Sequence, residues 1–184
     1  MKVVFTDLKD VFYFEPKVFG DERGFFMESY RKTWLEDQGI DVEFVQDNHS
    51  SSKKGTLRGL HYQIKQPQGK LIRVIKGEVF DVAVDMRRDS ETFGHWVGVF
   101  LSAENNRIMW VPPGFAHGFF VVSDEAEFSY KCTNYYAPEF ERTLMWNDEA
   151  VGVDWPLGDI EAPILSAKDS AGSSLSESEV FESI

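Results

Sequence analysis

One cysteine, Cys132, stands in the whole chain, so no internal disulfide can form and a reducing, cytoplasmic setting is expected. No apolar run nears the roughly 20 residues of a membrane span, and MKVVFTDLKD carries no signal-peptide core. Basic residues are scarce: 19 Lys and Arg stand against 31 Asp and Glu, for a formal charge of −12. That balance excludes the basic footprint of nonspecific nucleic-acid binding. It leaves room for a small anion, because a few cations in a cleft act through the local field rather than the net charge. Helical patterning is sparse too. Before residue 100 only residues 31–39 (RKTWLEDQG) read as a short helix, with Gly39 as its stop.

What the chain does have is aromatic and β-forming residues, 16 Phe among them. Its 184 residues are enough for one domain with a sizeable core. Residues 3–15 predict strand, turn and strand, and Asp21–Gly24 a turn from which Phe25–Tyr30 extends. Asp41–Asn48 alternates and predicts a half-buried strand with Gln46 and Asn48 on one face, followed by a loop over Ser50–Gly55. LIRVI and VFDVAVDMR flank a tight turn at Gly77; in the second run Phe80, Val82, Val84 and Met86 face one way, Asp81 and Asp85 the other. HWVGVFL, apolar on both faces, predicts a buried strand, and RIMWV a further one. VPPGFAHGFF predicts a rigid turn that leaves His117 at its end, and EAEFSYKCT a strand with Ala126, Phe128, Tyr130 and Cys132 inward. Residues 170–184, rich in Ser and Glu without Lys or Arg, are expected to form a poorly ordered tail after a single domain over 1–169. About ten short strands with hardly a helix between them predict an all-β, antiparallel double-sheet barrel or sandwich and exclude parallel α/β architecture.

The stretch GTLRGLHYQIKQPQGK, Gly55–Lys70, concentrates chemistry. His61 can take and return a proton near neutrality. Arg58 offers a planar fork to phosphate, and Lys70 a compact charge to a developing oxyanion. In a small double-sheet barrel opposite walls supply inward groups, which lets His61, Lys70, His117 and Tyr130 meet, with the Tyr130 phenol as a proton donor. Strict alternation sets Arg58 and His61 on opposite faces. If both line one pocket, Gly59 marks a bulge or sharp twist. Arg23 and Glu28 are further polar groups with possible roles, and the amides of Gln46 and Asn48 suit the edge of a pyrimidine.

LRGLHYQ, QGKLIRVIKGEVFDVAVDMR, SETFGHWVGVFLSAENNR, VPPGFAHGFFVVSDEAEFSYKCTNYY and LSAKD closely resemble the dTDP-4-dehydrorhamnose 3,5-epimerase family, from about residue 5 to Asp169. The resemblance implies a cupin-like jelly roll with one or two short helices that uses neither metal nor cofactor. The implied substrate is dTDP-4-keto-6-deoxy-D-glucose, inverted at carbons 3 and 5 on the route to dTDP-L-rhamnose, and the implied assembly a homodimer with exchanged N-terminal strands. His61 then corresponds to the proton acceptor, Asp169 to the carboxylate that orients it, Tyr130 to the proton donor, and Lys70 to the group beside the enolate oxygen. Nucleotide and sugar contacts fall on Arg23, Glu28, Gln46, Asn48, Arg58, His117, Glu141 and Lys168, with Tyr135 a candidate wall of the sugar site. Rival readings are a single-carbon epimerase, a sugar 3,4-ketoisomerase and a non-catalytic sugar-nucleotide-binding barrel. A metal-dependent cupin oxygenase needs a His-x-His pair, which His61-Tyr62-Gln63 lacks.

Overall fold

The computed structural model describes residues 1–182. In chain order the strands are β1 (Lys2–Phe5), β2 (Phe12–Glu15), β3 (Val18–Asp21), β4 (Gly24–Met27), β5 (Gln46–Lys53), β6 (Leu57–Gln63) and β7 (Lys70–Lys76). They continue as β8 (Glu78–Asp85), β9 (Trp96–Ser102), β10 (Ile108–Val111), β11 (Phe115–Val121), β12 (Glu125–Cys132) and β13 (Glu141–Thr143). The described residues also form two α-helices of one turn each, α1 (Thr33–Glu36) and α2 (Ala167–Ser170), and two 3-10 turns at Pro138–Phe140 and Leu175–Glu177. One sheet runs β1-β2-β10-β7-β12-β5 and the other β13-β6-β11-β8-β9, with β3 and β4 a separate hairpin. Every strand pair is antiparallel, the all-β double-sheet architecture expected from the alternation.

Three apolar layers hold the sheets. Ile72, Val74, Val79, Ala83, Met109, Phe119 and Phe128 fill the space between them. α1 closes the outer face of the six-stranded sheet by seating Trp34 and Leu35 against Phe14, Leu71 and Trp110. The outer face of the five-stranded sheet is covered by residues that follow β13, including Leu144, Trp155 and Phe181. With both faces dry, β8 and β11 are apolar at odd and even positions alike. Each such side chain contributes about 1.5–3 kcal/mol by leaving water.

Several expectations shift. The strand foreseen over Asp41–Asn48 begins only at Gln46 and runs through the foreseen loop to Lys53, because β12 supplies a pairing partner from Cys132 back to Glu125. That strand is an edge, which is why Ser and Asn suit it. Gly77 does not close a hairpin: β7 lies in one sheet and β8 in the other, so the turn carries the chain between layers. β9 is an edge of the five-stranded sheet rather than a buried strand, with Phe100 exposed. The turn at Pro112–Gly114 is shorter than foreseen, and His117 sits inside β11. The serine-rich end, expected to be poorly ordered, is laid against the body: Ser173 bridges Leu144, Phe181 bridges Arg87, and the Phe181 ring is buried. Its apolar residues Leu175, Val180 and Phe181 outweigh its polarity. Ser183 and Ile184 lie outside the described residues.

The bulge inferred at Gly59 is present. His61 faces His117 and Arg58 faces Phe119, so β6 spends three steps where β11 spends two. Gly59 has φ +128°, and a Cβ there would stand 2.6 Å from Gly118 Cα and 2.9 Å from the His117 carbonyl oxygen. Gly59→Ala should therefore lower the unfolding free energy by about 1–3 kcal/mol or more, read as a lower urea midpoint at unchanged slope. An unchanged midpoint would mean that the bulge does not need glycine.

Candidate active site

Inward parity runs through 57–63 in two registers. Before the bulge Arg58 points in; after it His61 and Gln63 do, while Leu57, Leu60 and Tyr62 join the outer layer. The even positions of β7, Lys70, Ile72 and Val74, and of β12, Ala126, Phe128 and Tyr130, face them from the other sheet. The result is a cavity of about 650 Å³ between the sheets, floored by Phe119 and Phe128, whose rings stack 4.1 Å apart.

Ten of the thirteen expected site residues line it: Gln46, Asn48, Arg58, His61, Lys70, His117, Tyr130, Glu141, Lys168 and Asp169. His61 and Tyr130 come from opposite sheets. Asp169, 3% exposed, is fixed through both carboxylate oxygens. Oδ1 accepts the Gly59 N–H at 3.1 Å and lies 2.7 Å from His61 Nε2. Oδ2 accepts the Ser166 hydroxyl at 2.6 Å within a capping box at the start of α2. The His61 contact is short, although the ring nitrogen is not in line with the carboxylate oxygen. Burial alone would raise the Asp169 pKa, but the contacts from His61, Ser166 and Gly59 outweigh it and hold the carboxyl well below the usual range.

A second pair lies behind the first. His117 Nε2 is 2.8 Å from Asp81 Oδ1, and both side chains are buried. Burial lowers the His117 pKa although Asp81 pulls the other way, which favours the neutral ring beside that carboxyl. Asp81 was not among the expected site residues. Its signal was present, an acid on the second face of an otherwise apolar strand, which burial on both faces obliges to find a partner.

The remaining polar groups follow from this pairing. At the rim Lys168 Nζ donates to Glu141 at 2.8 Å, and Glu141 also accepts from the Tyr136 hydroxyl at 3.0 Å. Lys70, 9% exposed, has its pKa lowered by burial although Asp81 and Glu141 pull the other way. Among the described residues Arg58 is held by Ser52 and the Ser51 carbonyl. Among the described residues, Lys70 and Arg58 have no ion-pair partner, which leaves the cavity a local excess of positive charge suited to an anion. Burial raises the Tyr130 phenol above its ordinary pKa, so it keeps its proton near neutrality. Among the described residues no three His, Cys, Asp or Glu side chains group to hold a metal ion.

Three expected residues stand elsewhere. Tyr135 is 64% exposed and off the cavity; Tyr136 takes its place, its backbone N–H bound to Gln46 at 2.9 Å. The buried Gln63 side chain sets this loop by holding Tyr135 O and Ala137 N, which alternation could not foretell beyond the end of β12. Arg23 pairs with Asp21 and Glu28 with Arg31, on and beside the β3–β4 hairpin, away from the cavity.

A family model for dTDP-4-dehydrorhamnose 3,5-epimerase matches residues 5–177. The chain belongs to that family. An epimerase of that name from Pseudomonas aeruginosa is 58% identical over 182 residues, covering 98% of this chain and 99% of its own. A solved structure of dTDP-6-deoxy-D-glucose-3,5-epimerase from Legionella pneumophila, in complex with dTDP-4-keto-L-rhamnose, is 53% identical and superposes with a TM-score of 0.93, covering 97% and 94% of the two chains. A 3'-monoepimerase from Streptomyces bikiniensis in complex with dTDP-quinovose is 33% identical with a TM-score of 0.87, covering 94% and 87%. The fold of this chain is thus shared by structures named as a 3,5-epimerase and as a 3'-monoepimerase.

Because the folded Asp169 pKa lies below its ordinary 3.8, the anion's stabilising contribution is present above that value and lost as pH falls through the folded one. The difference in unfolding free energy between the native protein and Asp169→Asn should accordingly shrink as pH drops below about 4 in urea titrations. A difference that stays flat to strongly acid pH would contradict the pairing.

Proposed function

We propose that this epimerase inverts carbons 3 and 5 of dTDP-4-keto-6-deoxy-D-glucose to give dTDP-4-keto-L-rhamnose, in the cytoplasm and on the route to dTDP-L-rhamnose. The observation that carries the reading is a base and an acid on opposite walls of one anion-accepting cavity, in a chain of this family. A hydrogen α to a ketone is acidic because the carbanion delocalises onto the oxygen. His61 removes the proton from carbon 5, and the buried Asp169 charge stabilises the imidazolium that forms. Lys70 meets the enolate oxygen, a contact worth several kcal/mol in a water-poor site. Tyr130 returns a proton to the other face, inverting the centre. Both groups re-equilibrate with water, and the same cycle runs at carbon 3. Arg58 and Lys168 hold the diphosphate, Gln46 and Asn48 offer amide groups to the ligand, and this binding positions the sugar.

Arg23 and Glu28 enter the reading through a second copy. The β3–β4 hairpin exposes Val18, Phe19, Phe25 and Phe26, more apolar surface than one arm would leave to water. In a homodimer that exchanges this N-terminal hairpin, Arg23 and Glu28 reach the partner's cavity and Tyr136 faces the base.

Proton NMR in deuterated water with dTDP-4-keto-6-deoxy-D-glucose should show deuterium at carbons 3 and 5 with formation of the L-lyxo sugar. Exchange at one carbon only would make this a monoepimerase, a ketone moved to carbon 3 a ketoisomerase, and binding without exchange a non-catalytic barrel. His61→Ala should lose about 10²–10⁴ in rate with binding retained. Tyr130→Phe should still wash deuterium in, because abstraction survives, but invert slowly. Mixing His61→Ala with Arg23→Ala protein should regain up to about a quarter of native activity, because a two-fold dimer then holds one site with both defects and one with neither. No regain would place Arg23 in its own subunit's site.

A further inference from the structure

Asp169 rides on α2, a helix of one turn, and a single turn does not hold itself in water. Before the turn, Ile164 donates its N–H to the Gly55 carbonyl at 2.7 Å, and its own carbonyl accepts from Leu57 N at 3.0 Å. After it, Ser173 N donates to the Thr143 carbonyl at 2.9 Å, and Ser173 O accepts from Met145 N at 2.8 Å. Thr143 lies directly across the ladder from His61. The turn is therefore tied on one side to the strand of the histidine and on the other to that strand's neighbour.

The second tie depends on the chain beyond it. Gly172 passes so close to β13's extension that a Cβ would stand 2.8 Å from Met145 Cα and 2.9 Å from its nitrogen. Further on, the Glu179 carbonyl accepts from the Tyr62 hydroxyl at 2.5 Å, and Glu179 pairs with Arg142. Phe181 exchanges backbone hydrogen bonds with Met86 and Arg88, and its buried ring packs 5.9 Å from that of Tyr62, the residue after His61. Gly172 and Phe181 do not line the cavity. We propose that residues 172–182 form a strap that positions Asp169 against His61, with Gly172 and Phe181 as positioning residues. This rests on the proton-transfer role of that pair.

The test uses the full chain carrying Gly172→Ala or Phe181→Ala, at a temperature where circular dichroism shows each variant folded. Each should lower kcat for exchange at carbon 5 about 10- to 100-fold with KM within about twofold, since displacement of a group by an ångström costs that much. In an Asp169→Asn background the same changes should add less than about twofold, because the group they position is gone. Phe181→Leu should restore most of the rate. If Phe181→Ala does not fold, Gly172→Ala and Tyr62→Phe carry the test. Unchanged kcat, or a full multiplicative loss on top of Asp169→Asn, would overturn the strap. The ¹⁵N resonances of the His61 ring read the contact without substrate. They should move in Gly172→Ala toward their positions in Asp169→Asn, and an unmoved signal refutes the strap even if the chain proves to act on another sugar.

Discussion

Two backbones touch where Gly59 passes Gly118, and the register of the site descends from that contact. An ordinary strand presents every second residue to one face. The extra step in β6 breaks that rule once, so Arg58 and His61 both reach the cavity while Leu57, Leu60 and Tyr62 stay with the outer layer. The same distortion points the Gly59 N–H at Asp169. One local departure from regular pleating thus sets the histidine's facing and helps anchor its carboxylate.

Around that frame the electrostatics follow from a rule of pairing. Burying an isolated charge is costly, and each acid in or behind the cavity has a base: Asp169 has His61, Asp81 has His117, Glu141 has Lys168. Lys70 and Arg58 are left over. A chain of net charge −12 thereby keeps a positive interior, and the surplus sits where an anionic ligand would complete it.

Alternation made β12, β7 and the inward meeting of His61, Lys70, His117 and Tyr130 legible in the sequence, and the parity conflict around Gly59 even disclosed its own resolution. What alternation could not reach were features decided by distant partners. β5 runs past its foreseen end because β12 offers hydrogen bonds there. Tyr136, not Tyr135, faces the cavity because Gln63 fixes the loop from 72 and 74 positions away in sequence. Asp81 looked like one of two acids on a strand face until its layer turned out to be covered on both sides. The terminal segment reads as polar by composition, yet three apolar residues suffice to seat it.

The carboxylate that completes the proton-transfer pair lies 110 positions downstream of the amide it binds. Chains emerge from the ribosome N-terminus first, and domains fold as their contacting parts become available. A nascent chain with both sheets already out still has no Asp169 beside His61 until α2 and its anchors have followed. The histidine therefore stays uncoupled while the residues between it and α2 are made, and a chain broken off before α2 lacks the His61–Asp169 pair. Acid–base competence in this molecule waits on contacts made after the strands of both sheets are complete.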